Sequence, residues 1–372
     1  MIYLNYAALC PTRPEAIEAV DAAMQEFNRL LYSPPGLQWY AHTIAASRQA
    51  IAHFLRFSEP SGIAFVPNAS LAAHLLLSLT AWEPGDVVLS TTHENPSIVR
   101  ELNAVVRDGV QIVLLDPVSP DDMIEQFDRV LATRPVKAVL LSHVSHVDGR
   151  IFPIAEIGAI AAHRQAFLFI DGAQAAGQIP VDLEDQIFDA YFFPGHKWCR
   201  GPLGTGALAI HPRMWARHPA LLAHVRRTFP AARFEIGTHH IGLIAGLAAA
   251  CKVSRPHEQD NAESFARRQA IATTLAATPA FQPSSWSGPH VPGIVTCRYQ
   301  KSADQEPLSR FLYSRQAIVV KEFEEYPLPL CPAIRVSWLP ETSPGDCHRL
   351  IEGVRDYLAH SPSRGENHEE KR

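Results

Sequence analysis

The sequence predicts an α/β fold built on a doubly wound, mainly parallel sheet. Three observations carry this. Four short apolar runs end abruptly in polar or glycine-bearing residues: "DVVLSTTHEN" (86–95), "KAVLLSHVSHVDG" (137–149), "AFLFIDGAQ" (166–174) and "DAYFFPGHK" (189–197). Continuous apolar strands suit a parallel sheet covered by helices on both faces. Between them lie helix-like segments such as "PDDMIEQFDRVLATR" (120–134) and "PIAEIGAIAAHRQ" (153–165), so strand and helix alternate. The polar residues also gather at the carboxyl ends of the strands, where such sheets bind ligands.

Composition agrees with a globular chain. Its 372 residues suffice for a large domain and a smaller partner. Hydrophobic residues make up 47% and charged residues 19%, enough apolar surface for a sizeable core. A net charge of -5 argues against a dedicated nucleic-acid binder. No apolar run approaches the roughly 20 residues of a membrane helix, so no membrane partner is expected. The start "MIYLNYAALCPTRPEA" lacks a basic and apolar signal, and the six cysteines (Cys10, Cys199, Cys251, Cys297, Cys331, Cys347) form no CxxC pair. These features predict a reduced, cytoplasmic protein without a metal site or disulfide framework.

The texture changes near residue 255. "SRPHEQDNAESFARRQAIATTLAA" reads as a helix leading into shorter strands, "GIVTCRY" (293–299) and "AIRVSWL" (333–339). "SPGDCHRLIEGVRDYLAH" (343–360) reads as a closing helix capped by Ser343 or Asp346. The expected division is a segment 1–14 packing with the small domain, a large domain 15–255, a small domain 256–361 and a disordered tail 362–372.

Two strand ends carry the chemistry. The run "AFLFI" delivers Asp171 to the carboxyl edge of the sheet, where a buried carboxylate needs a cation or a proton. Helix capping within "DGAQAAG" is the bland alternative, with Gln174 serving a capping box or a ligand. The next strand delivers Lys197 beside His196, and a desolvated lysine there becomes a usable amine nucleophile. An aspartate for a pyridinium nitrogen and a lysine for a Schiff base are the two groups that pyridoxal phosphate (PLP) chemistry requires. "VPNASLAAHLLLSLTAW" (66–82), a strand end followed by Asn68-Ala69-Ser70 opening a helix, offers a phosphate site. "GPLGTG" reads mainly as the turn that lets the chain pass the lysine. A nucleotide-binding module is the alternative of another class, but the Gly-Lys-Ser/Thr order of a P-loop is missing. A non-catalytic binding protein is a further alternative.

The chain resembles the class V aminotransferase family of PLP enzymes, which includes cysteine desulfurases, C–S lyases and isopenicillin N epimerase-like proteins. The resemblance rests on "YLNYAALCP" (3–11), "PNAS" (67–70), "LLSHVSHVDGRIFPI" (140–154), "FIDGAQAAGQIPVDL" (169–183), "GHKWCRGPLGTGALAI" (195–210), "FEIGTHHIGLIAGLAAA" (234–250) and "IRVSW" (334–338). It implies fold type I: a mainly parallel seven-stranded sheet in the large domain and a smaller α+β domain. It implies Lys197 as the catalytic Schiff-base lysine, Asp171 on the pyridine nitrogen and Gln174 at the phenolate oxygen. Ala69, Ser70 and His196 would hold the phosphate, and Thr238 that of the neighbouring subunit, which makes a homodimer with shared sites. Arg335 would clamp the substrate carboxylate, a task suited to guanidinium geometry.

Departures from the family decide the reaction. In "THENPS" either Asn95 or His93 takes the place of the usual stacking ring, with Asn95 preferred. His146 replaces a common asparagine, so it would face the substrate or phenolate oxygen, or sit in a solvated turn. Pro194 removes one phosphate hydroxyl. The stretch before Arg335, "IVVKEFEEYPLPLCPAIRVSW" (318–338), is short and acidic, and its Cys331 lies too near the strand to serve a desulfurase loop. Its "EFEE" reads as a solvated loop or an attractor of a basic side chain. The expected activity is a C–S lyase eliminating from a cysteine-type substrate, with aminotransferase or epimerase activity on a small amino acid as the alternative.

Overall fold

A computed structural model describes residues 1–217, 230–235, 237–254, 258–277, 281–283, 286–299, 305–323 and 332–359. The tail 362–372 and Cys331 lie outside the described residues. Two compact units divide the chain: Tyr6–Ala262 with Ser285–Pro292, and Met1–Asn5 with Glu263–Ser284 and Gly293–Arg372. Compared with the expected boundaries, only five N-terminal residues join the smaller unit, and residues 285–292 return to the larger one. The reason for that return is visible: Arg150 bridges His290, and Val291 N donates to Gly149 O at 2.8 Å.

The chain opens with β1 (Ile2–Tyr3), followed by α1 (Pro14–Leu30) and α2 (Pro34–Phe54). The larger unit then alternates: β2 (Ile63–Val66), α3 (Ala69–Leu79), β3 (Val87–Thr91), α4 (Pro96–Val105), β4 (Gln111–Leu115), α5 (Pro120–Thr133) and β5 (Val136–Ser142). It continues through α6 (Ile154–His163), β6 (Phe167–Asp171), β7 (Ala190–Pro194), β8 (Gly206–Ile210), α7 (Pro212–Arg217) and α8 (Ile241–Val253). The seven-stranded sheet has the order β2-β8-β7-β6-β5-β3-β4, with β8 antiparallel to both neighbours and the other pairs parallel. Every residue of β2, β3, β6, β7 and β8 is buried, as a sheet covered on both faces requires. The edge strand β4 is partly exposed along its length, as the final strand of an open sheet can be, and β5 is half-buried only at its first two residues.

Local signals set the helix starts. Ser119 Oγ accepts from Asp122 N, and Pro120 opens α5. Asn68 Oδ1 accepts from Leu71 N at 2.8 Å and so caps α3. Among the described residues no helix is long and apolar enough to cross a membrane.

The smaller unit gathers α9 (Glu258–Ala276, from Glu263), β9 (Phe281–Pro283), β10 (Ile294–Tyr299), α10 (Leu308–Gln316), β11 (Ile318–Val319), β12 (Lys321–Phe323), β13 (Ala333–Ser337) and α11 (Pro344–Ala359). Its antiparallel sheet runs β12-β13-β10-β9, and β1 pairs in parallel with β11. Ser343 caps the closing helix through its hydroxyl to Asp346 N. Glu322, expected in a solvated acidic loop, is buried instead. Its carboxylate accepts from the Tyr299 hydroxyl and from Ser309 N at 2.8 Å, which anchors the first turn of α10.

Candidate active site

Asp171 ends β6, paired in register with Ser142 of β5 and Phe192 of β7. Burial pushes its carboxyl above the usual range; the Lys197 ammonium and the Ala173 amide pull the other way. Ala173 N donates to Asp171 Oδ1 at 2.8 Å. The residues that follow form turns rather than a helix, so the carboxylate closes a local turn and caps no helix.

Lys197 follows the end of β7 and is half-buried. Its loop is pinned from several sides. Gly195 N donates to Thr205 O at 2.7 Å, Cys10 N to His196 O at 3.0 Å and Arg13 N to Arg200 O at 2.9 Å. The "GPLGTG" turn therefore folds back onto the lysine segment, as read from the sequence. Gly177 is required here: its φ is +91°, and a Cβ would stand 2.6 Å from the backbone of Trp198 and Cys199. His196 is half-buried, with Nδ1 buried and without a hydrogen-bond partner. Burial and the Lys197 charge both lower its pKa, which keeps the ring neutral.

Gln174 is committed within the protein. Its Nε2 donates to Ala7 O at 2.9 Å and its Oε1 accepts from Trp198 Nε1 at 2.7 Å. A cofactor oxygen would have to use its remaining amide hydrogen. On the phosphate side, Ala69 and Ser70 open α3. Ser70 Oγ donates to Ser97 Oγ at 2.9 Å, and Ser97 Oγ to Asn95 Oδ1 at 2.9 Å, so the first turns of α3 and α4 are linked. Asn95 caps α4 by accepting from Ser97 N. His93 is buried against the edge of Phe152, with Nε2 3.0 Å from Asp116 Oδ1. His146, expected to face a ligand or a solvated turn, is 5% exposed, and its Nδ1 lies 3.2 Å from His93 O. Because a carbonyl only accepts, Nδ1 carries the hydrogen.

Thr238 stands exposed ahead of α8 and lines a cavity of about 230 Å³ with Pro67, Leu71, Thr205, His239 and Leu243. The loop is fixed by Glu235, which receives Arg48 Nη1 at 2.7 Å, Phe65 N at 2.9 Å and His239 Nε2 at 2.9 Å. Arg335 belongs to the smaller unit, where it is 4% exposed and Nη2 donates to Asn5 Oδ1 at 3.2 Å.

Three residues escaped the sequence reading. Glu94 is buried, and its carboxylate accepts from Ser142 Oγ at 2.5 Å and Thr91 Oγ1 at 2.8 Å. Burial raises its pKa to about 7, against the pull of these donors and with a further push from Asp171. His143 Nδ1 lies 3.2 Å from the Tyr191 hydroxyl, and burial drops the imidazole to about 4, so the ring is neutral. The Tyr191 ring packs under Gly172, where any Cβ would meet it at 2.3 Å. The available signal was a charge or ring within a few residues of an apolar strand end, the pattern that singled out Asp171.

A buried acid facing a lysine, an unpartnered buried imidazole nitrogen and a capped helix start are arranged in one unit. The profile of the family described as Aminotransferase class-V matches residues 2–322. The chain belongs to the class-V aminotransferase family. Among curated relatives, a mitochondrial cysteine desulfurase of Arthroderma benhamiae is 27% identical over 310 residues, covering 80% of this chain and 60% of the relative. A putative L-cysteine desulfhydrase 2 of Oryza sativa subsp. japonica is 31% identical over 217 residues, covering 52% of this chain and 45% of the relative. The matches thus span less than two thirds of these two relatives. Among solved structures, the cystine C–S lyase C-DES, in complex with cysteine persulfide, superposes with a TM-score of 0.81 at 24% identity over 95% of this chain and 97% of that one. At that identity the superposition speaks for the fold. A buried carboxylate beside a lysine, with an unpartnered imidazole nitrogen and a helix start in the same unit, fits the family's pyridoxal phosphate.

Proposed function

We propose that this chain is a PLP-dependent enzyme acting on a small amino acid, and that it cleaves the C–S bond of a cysteine-type substrate by β-elimination. The observation that carries the reading is the buried Asp171 carboxylate under the charge of Lys197, on adjacent strand ends. PLP, when bound, supplies a carbonyl for the substrate amine and an electron sink for charge developing at Cα. Asp171, held by the Ala173 amide, would keep a proton on the group it faces. Lys197 Nζ would take the α-proton and return it, on a loop pinned at both ends. Ala69, Ser70 and His196 would hold the phosphate, and the guanidinium of Arg335 suits a substrate carboxylate.

The choice of elimination over persulfide transfer rests on the cysteines. All five described cysteines are free and buried, and burial raises the thiols of Cys251, Cys297 and Cys347, the opposite of a thiolate nucleophile. Free buried thiols also support a reducing, cytoplasmic setting. The desulfhydrase name of one relative and the C–S lyase name of a structural neighbour support the same reaction. A homodimer in which each subunit completes its partner's phosphate site is part of this reading, and Thr238 is exposed, as such a contact would need.

The test is to offer the purified holoprotein cysteine, cystine and S-substituted cysteines. Pyruvate and ammonia in equal amounts mark elimination. Conversion of the cofactor to its amine form would mark transamination, and solvent deuterium at Cα without turnover would mark epimerisation. The lyase reading is lost if no sulfur substrate yields pyruvate.

A further inference from the structure

Glu94 has no role in the reaction as described above, yet it is among the most buried carboxyl groups of the larger unit. It stands in the turn after β3 and reaches across to the end of β5. Ser142 donates to it twice, from Oγ at 2.5 Å and from the backbone N at 3.1 Å, and Thr91 Oγ1 donates at 2.8 Å. Ser142 is the register partner of Asp171, and the next residue, His143, donates its N–H to Asp171 O at 2.8 Å. Glu94 therefore grips the strand segment that lies against Asp171.

We infer that Glu94 is a positioning residue for Asp171: it locks the end of β5 beside that carboxylate, and its negative charge strengthens the hold of Asp171 on a cationic partner. This rests on the reading of Asp171 and Lys197 as the residues that hold PLP. Around Glu94, His93 in its own turn is engaged with Asp116 and meets buried His146 at its carbonyl, His143 just after β5 is neutral, and Asp171 on β6 faces Lys197 and, from β7, Tyr191. Because Asp171 is itself a buried carboxylic acid, a second charge nearby acts on it through little screening. Its own titration near neutrality makes the effect depend on pH.

The experiment measures PLP affinity of the apoprotein by its visible absorbance in wild type, Glu94→Gln and Ser142→Ala. Glutamine copies the shape of the protonated acid. At about pH 5.5, wild type and Glu94→Gln should bind PLP equally, and at about pH 8.5 the variant should bind about threefold or more weakly. Ser142→Ala removes a donor that stabilises the carboxylate, so its deficit against wild type should be larger just above about pH 7 than at the lower pH. A ratio to wild type that is the same at both pH values, large or small, overturns the inference, because a purely structural role is blind to pH. Should Glu94→Gln not fold, the Ser142→Ala ratio decides by the same criterion. If wild type itself takes up no PLP, the proposed function falls and this inference with it; a wild type that binds beside a variant with a flat ratio sinks the inference alone.

Discussion

At the scale of single residues, the chemistry depends on how burial and charge are balanced around Asp171 and Lys197. Lys197→Ala should abolish the visible cofactor band and cut turnover by about a thousandfold or more, and Asp171→Asn should keep the fold while losing most of the rate. Spectra and initial rates check both. Glu94 gives a pH prediction for the apoprotein. Its pKa is raised on folding from 4.5 to about 7, so the folded state holds the proton more tightly than the unfolded one. Its contribution is fully present below about pH 4.5 and is lost as pH rises through about 7, on the order of 3 kcal/mol in total. Thermal unfolding between about pH 5 and 8 should therefore show a steeper loss of stability in wild type than in Glu94→Gln. For Cys331 the expectation is an unimpaired enzyme: Cys331→Ser should release pyruvate from cysteine at the wild-type rate, whereas loss of sulfur release would restore the desulfurase reading.

At the scale of elements, buried polar groups fasten strands and helix starts that apolar packing alone leaves loose. Glu322 is the clearest case. Its carboxylate joins β12 to the first turn of α10 through Ser309 N, and to β10 through Tyr299. Burial and this bond raise the tyrosine's pKa, so the phenol stays protonated and donates. Glu322→Ala leaves the buried Tyr299 hydroxyl and the half-buried Ser309 N–H without this acceptor and should cost about 2–3 kcal/mol, read as a lower urea midpoint. The acidic string around it looked like a solvated loop, because a sequence does not reveal that two donors converge on one of its carboxylates. In contrast, the strands β3, β5, β6 and β7 were legible as apolar runs, α3 and α11 from Asn68 and Ser343 at their starts, and α5 from its helix-like run 120–134.

At the scale of the whole molecule, the proposed dimer makes a prediction that no single subunit can meet. Lys197→Ala has no catalytic amine but an intact Thr238; Thr238→Ala keeps the amine and weakens its partner's phosphate site. Mixed dimers would contain one complete site each. Co-refolding the two variants in equal amounts at limiting PLP should restore up to about a quarter of wild-type activity, against near zero for either alone. Additive, unrestored activities would separate Thr238 from any shared site.

By itself the sequence determined the α/β class, the strand ends bearing Asp171 and Lys197, and the turn nature of "GPLGTG". Those are local properties: strand burial is written in consecutive apolar residues, and a strand-end residue must lie at the sheet edge. The family was legible too, in ordered motifs spread over most of the chain. Only the tertiary structure decided the partners of each polar group. It gave His93 to Asp116 and Phe152, joined Gln174 to Ala7 and Trp198, buried Glu322, and brought Glu94 against Ser142. The physical reason is that a hydrogen bond between residues 48 positions apart, as in Glu94 and Ser142, depends on how β3 and β5 come to lie side by side.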